Sequence, residues 1–406
     1  MAASTTRASV FHSPPFLRFF LGQALSYVGD GLRTLAIPLL VFKMTTSAVS
    51  LGVTFALEIM PFALFSAIGG SLADRLDRRR LMLACDAIRF VIMVLFSVAF
   101  ATHSLNLPLL YLGVVLLSIC SAVFMGCQAS SIPYLLGKDR AKPAVAALFA
   151  TEQGVNMIAP PVGGVLFALL GPLPALVINA ATYLASQLSI ATVRDFGPLA
   201  PSGLPDVRDI GNDIVAGWRF IVRDPALRAL SFSQFGINLC GIIAFVSLIP
   251  YLKREFGASD QIVGITFGIL AIGSVTGAFI AARTHWPFGR AIGIAFVLDA
   301  LLWSPTIWTH SLPLAIAAMA TAMVCGSYEV TTLVAWRMRI IPEDSVGRVF
   351  GLARLIVLSG MLPGSLLGGY LCDHVGTRVA MFVSTLGLFL VALGVIAIKP
   401  LREDHR

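Results

Sequence analysis

The chain has 406 residues, of which 57% are hydrophobic and only 12% charged, and its mean hydropathy is +0.87. A soluble domain carries about 25% charged residues, so this composition excludes an ordinary water-soluble protein and implies a polytopic membrane protein. The net charge of +8 does not imply nucleic acid, because the basic residues gather at the ends of apolar runs and no basic face interleaved with aromatics is present.

Residues 1–14 are polar. The first apolar run, 16–42, is too long for a cleavable signal, contains Asp30 and Arg33, and lacks a cleavage pattern. A crossing needs about 20 apolar residues, so this run is span 1. Span 2 covers 48–73, span 3 covers 81–102 and span 4 covers 107–130. Between spans 2 and 3 the polar stretch 69–80 is too short to be a domain and forms a tight turn. From 90 to 137 there is no Asp, Glu, Lys or Arg, and only the break at 103–108 divides that stretch into two crossings. Lys138, Arg140 and Lys142 mark the next loop. Spans 5 and 6 cover 144–170 and 173–193, turning at Gly171-Pro172.

The composition then changes. Residues 194–228 are rich in arginine, aspartate and proline, the mark of a linker. Within it Ile210, Ile214, Val215, Trp218, Ile221 and Val222 recur at helical spacing beside Arg219 and Arg223. This stripe fits a helix lying on the membrane surface, or one packed on the protein itself. Six further spans follow, near 229–252, 261–282, 290–308, 312–335, 347–371 and 378–398. The expected domains are an N-terminal six-helix bundle over 1–193, a linker over 194–228 and a C-terminal six-helix bundle over 229–406.

A faint repeat supports two equivalent halves. Gly163, Gly164 and Gly171 match Gly368, Gly369 and Gly376 at an offset of 205 residues. Pro160 and Pro363 lie just before the paired glycines, and such residues let helices bend and approach closely.

With twelve spans and the N-terminus inside, most of the Lys and Arg fall in cytoplasmic segments. Only Lys43, Lys253, Arg254 and Arg378 fall outside. The positive-inside rule therefore places both termini and the linker in the cytoplasm. Cys85, Cys120, Cys127, Cys240, Cys325 and Cys372 lie in or beside apolar runs without a CxxC pair, so they read as core residues. No GxSxG, HExxH or Walker loop is present, and all six histidines fall in loops, tails or span edges. The expectation is no enzyme, no catalytic residue, no metal and no cofactor.

Charged residues inside spans stand out, since each costs about 2.5–3.5 kcal/mol on insertion scales. The acids are Asp30, Glu58, Asp86, Glu152, Asp299 and Glu329; the bases are Arg33, Arg89 and Arg354. Asp30 and Arg33 share a helix face at i and i+3, as do Asp86 and Arg89, so mutual neutralisation accounts for both pairs without any further role.

The turn has a specific order: Gly70, three residues, Asp74, Arg75, one residue, Asp77, Arg78, Arg79. It resembles the loop between helices 2 and 3 of the major facilitator superfamily, with Asp77 where the family pattern has a second glycine. The form Ala-Asp-Arg-x-Asp-Arg-Arg-Arg is similar to that of the branch containing enterobactin and macrolide exporters. Residues 159–164 also resemble the family's antiporter motif, with Ala159 in the first glycine position, although plain close packing would explain these residues equally. Span 4 has no arginine, so another motif of proton-coupled antiporters is absent.

The resemblance implies an all-α protein of twelve transmembrane helices in two pseudo-symmetric six-helix bundles. It implies a multi-pass protein of the cell inner membrane, monomeric, with a small-molecule substrate and a proton as coupling ion. The expected function is proton-coupled efflux of an amphipathic compound such as a drug or siderophore. Uptake of a small nutrient, or a membrane-embedded lipid-modifying enzyme, is the alternative. In that fold helices 1, 4, 7 and 10 line the cavity and helices 3, 6, 9 and 12 pack outside. Asp30, Arg33 and Glu329 would then face the substrate and proton pathway, with Glu58 and Glu152 flanking it. Asp86, Arg89 and Asp299 would serve packing. Gly70, Asp74, Arg75, Arg78 and Arg79 would form a conformational gate, with Asp74 near Ser345-Val346. Pro160, Gly163, Gly164, Pro363, Gly368 and Gly369 would serve helix bending and packing.

Overall fold

The computed structural model describes residues 10–193, 196–197, 219, 222–223, 225–284, 286–340 and 346–397. The amphipathic stripe at 210–222 lies almost wholly outside these residues. Twelve long helices occur among the described residues. The first six are α1 (Pro14–Thr45), α2 (Ala48–Arg75), α3 (Arg78–Ala101), α4 (Leu107–Leu136), α5 (Lys138–Leu170) and α6 (Pro172–Thr192). The next three are α7 (Pro225–Phe256), α8 (Asp260–Arg283) and α9 (Phe288–Trp303). A one-turn α10 (Pro305–Trp308) precedes α11 (Leu312–Ile340), α12 (Val346–His374) and α13 (Thr377–Ala397). Each expected span falls on one long helix except the ninth, which is split between α9 and α10. The reason is Pro305, which lacks the N–H that would bond the Leu301 carbonyl, while Ser304 keeps helical dihedrals.

Helix starts follow local chemistry. The side chains of Asp77, Asn106 and Ser259 accept backbone N–H bonds from Arg80 (3.1 Å), Leu109 (2.9 Å) and Ile262 (3.3 Å), capping α3, α4 and α8. Asp77 thus has a role of its own as the N-cap of α3 in the position where the family pattern carries glycine. Gly171 and Gly376 have φ of +79° and +120° and sit just before α6 and α13. Only glycine takes this backbone without strain, so both matched repeat positions need glycine for the turn.

The chain falls into two compact units. One comprises Met1–Thr34, Pro61–Ala159 and Gly171–Leu204; the other comprises Leu35–Met60, Pro160–Leu170 and Pro205–Arg406. The sequence halves 1–193 and 229–406 follow the repeat, whereas the packing units give parts of α1, α2 and α5 to the second unit. The changeovers on α2 and α5 fall at Met60–Pro61 and Ala159–Pro160. In the first unit α3 packs on α6 and α4, and in the second α9 packs on α13 and α11, the equivalent pairings of the repeat.

The paired glycines make backbone contacts within the second unit. A Cβ on Gly164 would lie 2.7 Å from Gly264 Cα, and one on Gly369 would lie 3.0 Å from Val49 Cα. So α5 rests on the first turns of α8, and α12 rests on the first turn of α2, as a repeat requires. Gly368 approaches Ile243 on α7, and Gly163 is buried. Pro363 lies exposed within α12; the side chain of Pro160 lies outside the described residues. Overpacking a tight contact costs about 1–3 kcal/mol. Gly264→Val should therefore lower the melting temperature of the purified protein, whereas Gly241→Ala, where a Cβ meets nothing within 4 Å, should leave it unchanged.

Candidate transport site

The first unit assembles its intramembrane charges along the contact of α1 with α6. Small residues let the two helices close. A Cβ on Gly29 would strike Thr182, and one on Gly22 would lie 2.5 Å from Ser189 Cβ. Polar side chains then reach across. Gln23 Nε2 donates to Ser186 Oγ at 3.0 Å, and Asn179 Nδ2 donates to the Gly29 carbonyl at 2.8 Å. The Tyr183 hydroxyl donates to Asp30 Oδ1. The partners at 179, 183 and 186 recur one helical turn apart, so a single face of α6 supplies them all.

Asp30 is doubly held. Arg33 Nε lies 3.6 Å from the same Oδ1 that accepts from Tyr183. Tyr183 in turn lies under the Arg89 guanidinium at 4.8 Å, and Arg89 also covers the Phe124 ring at 4.5 Å while bonding Asp86 Oδ1 at 2.5 Å. The two acid–base pairs, separate in the sequence, are joined through one buried tyrosine. Gln128 Nε2 donates to the Tyr27 hydroxyl at 2.8 Å, and Glu152, half-buried on α5, lies within electrostatic reach of Tyr27. Asp30, Arg33 and Glu152 belong to the first unit; Glu58, half-buried, and Glu329, buried, belong to the second. Glu329 on α11 lies beside Asp299 on α9, and both are buried.

The arginine-rich turn is partly described. The backbone of Gly70, Asp74 and Arg75 belongs to α2, while their side chains, and all of residue 345, lie outside the described residues. Arg79 donates to the Val193 and Ala191 carbonyls at 2.9 and 2.8 Å, tying the turn to the end of α6. Arg78 donates to the Phe196 carbonyl at 3.3 Å and covers the Tyr134 ring at 4.8 Å. A cation at a helix C-terminus also suits the macrodipole.

The opposite helix ends carry a clasp that sequence reading missed. Asp373, in the last turn of α12, accepts hydrogen bonds from Ser47 Oγ (2.7 Å), Ala48 N (3.0 Å) and Val49 N (2.9 Å). It thereby caps α2 from another helix. Arg254 on α7 bonds Asp373 at 2.6 Å and the carbonyls of Thr46 (2.7 Å) and Cys372 (2.9 Å). Alongside, Arg378 bonds Glu255 at 2.7 Å and Lys253 bonds Asp260 at 2.5 Å. Three of the four basic residues that the charge pattern assigns outside are thus neutralised by carboxylates; Lys43 is exposed. The available signal was Asp373 itself, an acid just past an apolar run; Ser47, whose Oγ accepts from Ser50 N at 3.2 Å, already caps the start of α2.

A family model described as transmembrane secretion effector, of the major facilitator type, matches residues 5–405. The chain belongs to this family of major facilitator transporters. It is not an enzyme. The multidrug efflux pump Tap of Mycolicibacterium fortuitum is 22% identical over 401 residues, covering 96% of this chain and 97% of that one. The enterobactin exporter EntS of Escherichia coli O6:K15:H31 is 25% identical over 407 residues, covering 97% and 93%. Among solved structures, a bacterial homologue of the lysosomal transporter Spinster matches with a TM-score of 0.73 at 15% identity, covering 97% of this chain and 98% of that one. A bacterial homologue of ferroportin matches at 0.72 and 17%, covering 96% and 99%. The fold is the twelve-helix major facilitator fold, and the protein is a multi-pass membrane transporter.

The clasp gives a direct prediction. An N-cap contributes about 0.5–2 kcal/mol, and hydrogen bonds to charged groups about 1.5–3 kcal/mol. In a cysteine-free background, Asp373→Asn should raise the rate of maleimide labelling at Ser50→Cys and lower the melting temperature. Equal rates with and without the substitution would exclude the clasp as a closure.

Proposed function

We propose that the protein exports an amphipathic organic compound, such as a drug or siderophore, by proton-coupled alternating access. The observation that carries this reading is the cap of α2 by Asp373. Alternating access needs a closure at each membrane face, only one of which is made at a time. Asp373, Arg254 and the α2 N-terminus supply one, assigned to the outer face by the arginine asymmetry. Gly70, Asp74, Arg75, Arg78 and Arg79 supply the other, at the cytoplasmic face, with Asp74 at the start of α12. On this reading the design is reciprocal: the end of α12 caps α2, and Asp74 at the end of α2 would do the same for α12. Full-length likeness to two exporters of different compounds supports outward transport.

Asp30, Arg33, Glu58, Glu152 and Glu329 belong to the substrate and proton pathway. With no nucleotide-binding loop in the sequence, uphill export draws on an ion gradient. Both termini lie in the cytoplasm and the protein works as a monomer in the inner membrane.

Ethidium, an amphipathic cation, serves as the transport probe in proteoliposomes. An imposed pH gradient should drive it uphill. Neutralising at least one of Asp30, Glu152 and Glu329 should abolish uphill transport while downhill exchange continues. If all three single variants keep full uphill transport, the proton route lies elsewhere or sodium drives the protein. Asp74→Asn should cut transport without loss of expression, by removing a carboxylate from a helix N-terminus, worth about 0.3–1 kcal/mol. Full transport by that variant would reduce the turn to a topological signal.

A further inference from the structure

Two buried acids in the second unit have no positively charged partner among the described residues. Asp299 is 6% exposed and Glu329 is 2% exposed, and Asp299 Oδ1 and Glu329 Oε1 each lack a hydrogen-bond partner. Asp299 Oδ1 lies 4.0 Å from the position of a Cβ on Gly326, which is on the Glu329 face of α11 three residues earlier. The two carboxyls also share a depth. Asp299 is 11 residues from the start of α9 at Phe288, and Glu329 is 11 residues from the end of α11 at Ile340. At 1.5 Å per residue both are about 16 Å from that end of the helices, close to the middle of a bilayer about 30 Å thick.

The groups facing them carry no positive charge among the described residues. The Trp303 indole lies within electrostatic reach of Asp299. Cys325 on α11 lies within electrostatic reach of both acids. On the helices packed against this pair, ionisable groups occur only near the ends. On α8 these are Asp260, bonded to Lys253, and Arg283, which covers Phe279 at 3.7 Å. On α13 it is Arg378, bonded to Glu255. The short α10 has none, and Tyr328 on α11 is neutral. Along α9 and α11 themselves the nearest basic positions in sequence are Arg290 and Arg337, about 12–14 Å away along the axis.

An apolar groove runs beside the pair, and neither acid lines it. A cavity of about 160 Å³ between α8, α9 and α11 reaches Leu298, next to Asp299, and Cys325, one turn from Glu329. A second, of about 500 Å³, adjoins it at Trp286 and Tyr328 and opens at Arg283 and Thr284.

We propose that Asp299 and Glu329 form one shared proton-binding site within the second unit. Two neighbouring carboxylates without a counter-ion cannot both stay ionised in an apolar interior. A proton taken from water forms an O–H bond on one carboxyl, and the other oxygen set can share it. The site gains one proton and loses one negative charge; nothing is oxidised. The inference rests on the proton-coupled reading above and deepens it. It moves the carrier from Asp30, which Tyr183 and Arg33 already occupy, to a pair containing Asp299, a residue the resemblance assigned to packing.

The test uses the wild-type full chain and needs no substrate. Dicyclohexylcarbodiimide adds the O–H of a protonated buried carboxyl across its C=N bond and leaves a stable acylurea. After treatment in nanodiscs, peptide mass spectrometry should find the adduct on Asp299 or Glu329, decreasing as pH rises. No adduct on either residue, or one independent of pH, overturns the proposal. In proteoliposomes, Glu329→Gln and Asp299→Asn should lose ethidium transport driven by a pH gradient and keep downhill exchange, while Glu329→Asp restores the driven transport. Driven transport persisting in both neutral variants overturns the coupling role of the pair. If wild-type transport ignores the pH gradient, the proton-coupled reading fails, and the carbodiimide result alone decides the site.

Discussion

A charge in the hydrocarbon core must be matched inside the protein, and much of this structure follows from that constraint. In the first unit it produces a chain of contacts, Arg33 to Asp30 to Tyr183 to Arg89 to Asp86. Each member offsets a neighbour, so α1, α3 and α6 are fixed in register by polar contacts that slippage would break. Side-chain hydrogen bonds between membrane helices average about 0.6 kcal/mol each, so no single one decides the packing. Their specificity lies in the geometry: one face of α6 must meet Gln23, Gly29 and Asp30 together.

The same constraint explains the basic residues that the charge asymmetry places at the outer face. Lys253, Arg254 and Arg378 are ion-paired with Asp260, Asp373 and Glu255. Orientation by positive charge is an effect of unpaired lysine and arginine near the helix ends. Residues that fold into pairs give up that role and become structural ties.

Span positions were legible because a bilayer sets a fixed apolar length, and because caps such as Asp77, Asn106 and Ser259 have local signatures. The ninth span was read as continuous, although Pro305 carried the information that it is not. The matched glycines were legible as a pattern, and Gly171 and Gly376 both take positive φ at that offset. What no pattern could supply was the pairing of distant residues. Asp373 with Ala48, and Asp299 with Glu329, are separated by long stretches of chain. Their meeting depends on which helix faces which. Asp30 illustrates the converse: its nearest partner, Arg33, was visible from spacing, while Tyr183 was not.

The backbone contacts of the repeat glycines have a mechanical consequence. Where Gly164 meets Gly264 the two backbones touch, with the Leu35 side chain beside them, and Gly369 lets the Ala48–Val49 backbone approach. Ridge-and-groove packing resists sliding because each step forces rotamers over a barrier. A glycine at the crossing removes one row of those teeth. These crossings act as bearings, on which α5 can slip over α8, and α12 over α2, by fractions of a helical turn, while the polar ties at the helix ends set where the motion stops.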